Sequence, residues 1–473
     1  MRTLSPTHAS TDNGCGTSAP HAPFVHSLLC CLLSAGLASA QEPAAPDLHA
    51  ELSELKTIVL ALKTELASLR SAGDVASARV RDLEQQIAQH SGSELDTALT
   101  EATGKVRAPS AGKGKGLMLG GYFDTEFRID HAGAQADTFD QHRLVLQLEA
   151  RVAGPVSFRS EIEFEGGGYM SGSGNYLTGN QILIEYAEAH VDLSEPVKLK
   201  VGSLLVPFGQ FNAEHDSPLQ EFTDRPLVAR RIIPSAWNDS GLGLYGSVQP
   251  GGITLSYDLA LVNGFTEKFS AIDGTRNARA SFRKDNNDNK TFVGRVGCSL
   301  DLEFLDALSF GVSGLSGKYD GAGEREARMW GFDGRLRKGP FELLGEYANL
   351  RLEDGATLAT PVPPGMEGWY AEARWRFFPF DESWRGMRML GERSTFSLNL
   401  RFDSVDTDVS GTAVDFATRG DAYRDDRSRW SFGLSFRPVA QSVFKVEYQW
   451  FPEPGPLPDV DNDRIVASFA TYF

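Results

Sequence analysis

Cysteine is nearly absent from this chain. There are four in 473 residues, and three of them, Cys15, Cys30 and Cys31, lie within the first 31 positions. Cys298 is left alone in the remainder, which excludes a disulfide framework and a cysteine metal site. Long apolar runs are equally scarce. After residue 40 no stretch supplies the roughly 18 consecutive apolar residues that a membrane-spanning helix needs. A strand barrel escapes that exclusion, because its lumen-facing positions are polar. Basic charge is in deficit, with 46 Lys and Arg against 63 Asp and Glu and a net charge of -17, which argues against a nucleic-acid partner. CxxC, HExxH, a Walker loop and GxSxG are all missing. No catalytic residue, cofactor or metal is therefore expected.

What is present falls into four segments: 1–40, 41–90, 91–116 and 117–473. The first reads as a secretory signal peptide, with an apolar region from Phe24 to Leu33 and Ala38-Ser39-Ala40 as a cleavage site. In the second, apolar residues recur at alternating steps of four and three. Leu52, Val59, Leu66, Val80 and Ile87 take the a positions of a heptad, and Leu55, Leu62, Leu69 and Leu83 take d. Glu51 with Lys56, Glu65 with Arg70, and Arg79 with Glu84 are opposite in charge at the flanks, as parallel chains in register require. This predicts a coiled coil, placed in the periplasm if the remainder is an outer-membrane barrel. The third segment, with Gly-Lys-Gly-Lys-Gly at 112–116, reads as a flexible linker.

From residue 117 the period changes to two, and about sixteen candidate strands follow. Trp369, Ala371, Ala373, Trp375 and Phe377 oppose Tyr370, Glu372, Arg374 and Arg376; Phe444, Val446, Tyr448 and Trp450 oppose Lys445, Glu447 and Gln449. The last residues, Ile465 to Phe473, alternate in the same way. Periodicity cannot tell a soluble sandwich from an inside-out barrel. The connections can. Gly154-Pro155, Ser194-Glu195, Gln249–Gly252 and Lys338–Pro340 are tight, and between them come long segments near 167–180, 207–239, 264–289 and 405–426. That alternation is the mark of an outer-membrane barrel, with 379–392 as an exception that is long where a short turn is due. The fold class expected is all-β: a transmembrane antiparallel β-barrel preceded by a helical coiled coil.

The strand-and-loop text of 117–473 resembles the phosphate-selective porin O and P family. The resemblance is carried by Gly202-Ser-Leu-Leu-Val-Pro-Phe-Gly209, Ser240 to Gly246, Tyr257 to Gly264, Glu346-Tyr347, Gly368-Trp369-Tyr370 and the terminal Phe473. It implies a sixteen-stranded trimeric channel whose third loop folds inward as a constriction. The residues agree: proline at 207 removes a ladder donor, Gly209 permits a sharp turn, and about thirty residues follow before Ser240. Asp224, Arg225, Arg230 and Arg231 in that loop are the candidate constriction charges, and charges at a constriction set which ions pass. Arg143, Arg159, Arg295, Arg335, Arg337, Arg374, Arg376 and Arg401 are the candidate pore-wall cations, interleaved with Glu149, Glu161, Glu163, Glu188, Glu346, Glu372 and Asp403. Phosphate selectivity in the family rests on an arginine ladder and lysine clusters. Mixed signs here favour a cross-strand ion-pair lattice instead, so that selectivity is not carried over. The function expected is a passive diffusion porin for small hydrophilic solutes or ions, with anions favoured, held in outer-membrane lipid as a homotrimer. The alternative is a structural tether, a barrel anchor with a coiled-coil stalk.

Overall fold

The structure is a computed structural model that describes residues 117–130, 137–168, 181–280, 283–381, 384, 390–391, 393–409, 426–452 and 461–473. The signal peptide, coiled coil and linker segments lie outside these residues.

Sixteen strands close into one barrel, each antiparallel to its neighbours in sequence. They are β1 Leu117–Asp130, β2 Thr138–Ala153, β3 Val156–Glu165, β4 Gln181–Ser194, β5 Val197–Leu205, β6 Asn238–Val248, β7 Ile253–Val262 and β8 Thr291–Leu300. The second half is β9 Ala307–Lys318, β10 Glu326–Lys338, β11 Phe341–Leu352, β12 Gly365–Phe377, β13 Thr395–Asp406, β14 Asp426–Val439, β15 Ser442–Trp450 and β16 Arg464–Tyr472. Closure runs from Tyr122 opposite Tyr472 to Asp130 opposite Arg464, so no edge is left unpaired. The connections alternate between a turn end and a loop end, and the long segment between β12 and β13 sits at the turn end as the one departure from that rule among these strands.

Burial decides which way the alternation points. Trp369, Trp375, Leu398, Leu400, Phe444, Val446 and Trp450 are exposed, whereas Glu372, Arg374, Asn399, Arg401, Lys445, Glu447 and Gln449 are buried. A water-soluble protein reverses this arrangement, and only a hydrocarbon solvent makes it favourable. Cys298, between the exposed Val296 and Phe310 across the ladder, lies on the same outer face. Aromatic rings form two bands on it. Near the turn end Phe396 stacks on Phe436 at 4.5 Å and Phe444 meets Phe469 at 4.5 Å; near the loop end Trp369, Phe402 and Trp430 follow one another at 5.2 and 4.7 Å. Two such girdles mark the two membrane interfaces.

The ladder is irregular where it matters. Glu161 of β3 faces Tyr186 of β4, but Ile162 faces Ile184, so Glu185 is an extra residue on β4. The bulge reverses the strand's phase and turns Glu185 into the barrel, where it is 1% exposed.

Candidate functional site: a loop folded into the lumen

β5 ends at Leu205, and residues 206–237, here called loop 3, turn into the barrel. Gly209 makes the turn possible. Its φ is +72°, and a Cβ there would sit 1.7 Å from Glu346 Oε1 on β11, so no other residue fits. Its N–H donates to Ser313 Oγ on β9 at 2.9 Å. Two short helices follow, α1 Gln210–Ala213 and α2 Leu227–Arg231. Val206, Phe208, Leu227, Val228, Ile232, Ile233 and Trp237 bury themselves with Phe265 and Phe269 of residues 263–290 (loop 4) and with Leu350, Met366 and Val405 on the inner wall. The lumen thus holds an apolar core of its own on one side.

On the other side loop 3 is tied down by charge. Glu221 accepts from Arg437 Nε at 3.0 Å and bonds Ser435. Asp224 accepts from Arg128 at 2.8 Å and Gln449 at 2.7 Å, with Arg429 at 3.6 Å. Asp403 on β13 is the centre of this attachment. It is fully buried, takes the Leu227 N–H at 3.0 Å, and holds Arg401 and Arg429 at 3.1 Å each. Those two arginines in turn donate to the carbonyls of Asp224 and Arg225 at 2.8 Å. Thr223 N–H reaches Glu447 on β15 at 2.9 Å, and Tyr472 of β16 reaches Asp216 at 2.9 Å. The loop leaves the wall at β5 and bonds β9, β11, β13–β16 and β1, so it crosses the interior.

The arginine side chains of the loop take no part in this. Arg225 and Arg276 of loop 4 donate to the carbonyl of Ser235, Arg279 donates to that of Ala236 at 2.9 Å, and Arg231 to that of Ile272 at 2.6 Å. Among the described residues, these side chains and Arg230 make a single ion pair, Arg231 with Asp273 at 3.6 Å. Arg230 is exposed to the lumen and has no hydrogen bond to any described residue. Burial pushes Arg276 down to about 9, with Arg279, Arg230 and Arg225 adding to the effect, and burial with Arg427 pushes Arg231 down to about 10. Burial is the larger cause in both, and the neighbouring guanidinium groups add to it.

The wall cations are paired. Arg335, Arg374 and Arg376 converge on Glu342 at 3.4, 3.3 and 2.6 Å. Arg374 also holds Glu372 at 2.6 Å, and Arg401 lies 3.6 Å from that same carboxylate. Arg143 pairs with Glu163, Arg159 with Glu188 at 3.1 Å, Arg295 with Asp333 at 2.8 Å, and Arg337 stands 4.0 Å from Asp306. From Arg335 to Arg128 the signs alternate in one continuous lattice that the loop joins through Asp224. Of the site, sequence reasoning missed Glu185, hidden by the bulge, and Arg276 and Arg279, whose loop carried no signal that it would meet loop 3.

The pairing of loop 3 sets a pH expectation. Burial raises both carboxyls, but Arg437, with Arg374 and Arg376, holds Glu221 well below the usual range, and Arg128 and Arg429 do the same for Asp224. A lowered native pKa gives stability that is complete above the ordinary carboxylate value and lost as pH falls through the lowered one. Loop 3 should therefore stay docked at a pH of about 4, where free carboxylates are half protonated. Single-channel records at that pH should be as quiet as at neutrality, and flicker setting in above it would contradict these assignments.

A closed barrel with its apolar face outward, two aromatic girdles and an inward third loop defines an outer-membrane β-barrel of the porin type. The resemblance read from the motifs is borne out: the sequence model of the phosphate-selective porin O and P family matches residues 120–323. An uncharacterized protein of Aquifex aeolicus is 23% identical over 357 residues, covering 71% of this chain and 75% of that protein. Among solved structures, the anion-selective porin from Comamonas acidovorans covers 76% of this chain and all of its own, at 11% identity and a TM-score of 0.45. OmpT, an outer membrane protein of Vibrio cholerae, covers 77% of this chain and 100% of its own, at 9% identity and a TM-score of 0.45.

Proposed function

We propose that the protein is a passive diffusion channel for small hydrophilic solutes that prefers anions, with its constriction at the junction of loops 3 and 4. One observation carries the reading: the carboxylates of loop 3 are spent on the wall, while Arg225, Arg230, Arg231, Arg276 and Arg279 stand together with a single carboxylate partner among the described residues. Coulomb energies grow as the effective dielectric falls, so a few such groups in a narrow passage outweigh a net charge that mostly faces bulk water. Phosphate selectivity is not part of the proposal, because the wall arginines are already held by carboxylates. Steady open current in planar bilayers, with a reversal potential of anionic sign under a salt gradient, tests it. A sealed barrel or a cationic sign would overturn it.

The heptads support a second part of this reading, a homotrimer whose periplasmic helices strengthen the assembly. Leucine at d with mixed a residues does not set stoichiometry, so three chains rather than two follow the family resemblance. Deleting residues 48–87 should lower the temperature at which the oligomer dissociates in detergent, read by gel migration. An unchanged temperature would give the helices another task.

A further inference from the structure

Beneath loop 3, on the inner faces of β3 and β4, three donors meet out of reach of water. Glu161, Glu185 and His215 are 2%, 1% and 4% exposed, and each presents one ligand atom within 4.8 Å of the other two. Glu185 Oε1 and His215 Nε2 are 2.5 Å apart but without the alignment of a hydrogen bond, and Glu161 Oε1 has no hydrogen-bond partner among the described residues. The other imidazole nitrogen explains the direction of the lone pairs. His215 Nδ1 is 2.7 Å from the carbonyl of Asn212, which can only accept, so Nδ1 carries a proton and Nε2 meets Glu185 either as a second N–H or, in the neutral ring, as the lone pair that a cation would take. Glu161 is steadied from behind by Gln147, whose amide donates to Oε2 at 3.0 Å. A ring nitrogen oriented by a backbone carbonyl and a carboxylate oriented by an amide are what metal ligands have behind them.

We propose that Glu161, Glu185 and His215 bind a divalent transition cation of the zinc or manganese kind, which staples loop 3 to β3 and β4. Two carboxylates and one imidazole bring up to two negative charges to a dry site, where they repel unless a cation or a proton lies between them. The mixed oxygen and nitrogen donors suit Zn2+ or Mn2+ better than the all-oxygen preference of Mg2+ and Ca2+, and three protein ligands leave a place for water. The neighbouring group of Asp124, Glu126 and His142 is more fully engaged: Asp124 Oδ2 accepts from Ser217 at 2.5 Å, Glu126 holds Arg128, and the partly exposed His142 faces Asp140 at 3.3 Å, which leaves Asp124 Oδ1 as its unbonded buried oxygen. The sequence held no hint of the site. Its ligands come from two strands and a loop, and only the β4 bulge brings Glu185 round.

The test uses the full chain folded in detergent with ZnCl2 or MnCl2 present, so that a buried site can fill, followed by buffer exchange and elemental analysis. About one ion per folded chain is expected, retained in His142→Gln and reduced about tenfold or more in His215→Gln and Glu185→Gln. Folding of each variant is read from heat-modifiable gel migration. Should neither ligand variant fold, wild-type protein is titrated with Mn2+ and the loss of the free-ion paramagnetic resonance signal counted. Wild-type chains that stay folded without bound ion would overturn the proposal, leaving a protonated His215 paired with Glu185. Equal metal content in His215→Gln would overturn it as well.

Discussion

Replacing Arg225, Arg230 and Arg231 together by Gln should carry the reversal potential from the anionic toward the cationic side while the barrel remains folded. The three act differently. Arg225 and Arg231 are bound to the carbonyls of Ser235 and Ile272 and help to shape the junction with loop 4, whereas Arg230 is exposed and unbonded among the described residues. Most of the shift should therefore appear in Arg230→Gln alone, and the remainder on removing its two neighbours. Arg276 and Arg279 stay behind, so the triple variant should keep a weak anion preference at low salt that fades as screening increases. Removal of a charge from a partly desolvated passage changes ion entry by about 1 kcal/mol or more, five-fold or better in relative permeability. An unchanged reversal potential would place ion selection elsewhere, on the wall.

The second large effect is expected at Asp403→Ala. That one carboxylate anchors the start of α2 and neutralises two buried guanidinium groups. Its loss strands Arg401 and Arg429 without their shared partner, at a cost of about 3–5 kcal/mol for a broken buried pair. The strands on either side keep their ladders, so the damage should fall on loop 3 rather than on the barrel. Conductance should rise and become noisy as residues 223–227 leave the wall. Asp403→Asn retains an acceptor for Leu227 but not the charge, and should fall between the two. A quiet, wild-type conductance in Asp403→Ala would mean that the loop is held by its apolar side alone.

The barrel was legible in the chain because each wall residue meets one of two solvents, and alternation records which. Trp369 against Tyr370 and Phe444 against Lys445 read correctly from sequence for that reason. The exit of loop 3 was legible too, since Pro207 and Gly209 act locally. Glu185 was not, because a single inserted residue flips the phase that the reader counts from Glu188. The fate of the loop charges was hidden for a different reason. Glu221 and Asp224 look like natural partners for Arg225 and Arg230 nearby in sequence, but they bind Arg437, Arg128 and Arg429, which arrive from strands β14 and β1. Closure of the barrel seats β1 against β16, with only β15 between that strand and β14, and nothing local announces it.

The anchors of loop 3 also impose an order of events. The loop leaves the chain after β5, yet its bonds reach forward by 104 residues to Ser313 and by 245 to Ser468. A growing barrel that has made only its first eight strands has no partner for Glu221, Thr223 or Leu227. Such distant contacts form late, because the intervening chain must be ordered first. The narrowing of the pore is then the closing act of assembly. Until β13 to β16 meet β1 the barrel is an open gutter, and the filter comes into being together with the seam that makes it watertight.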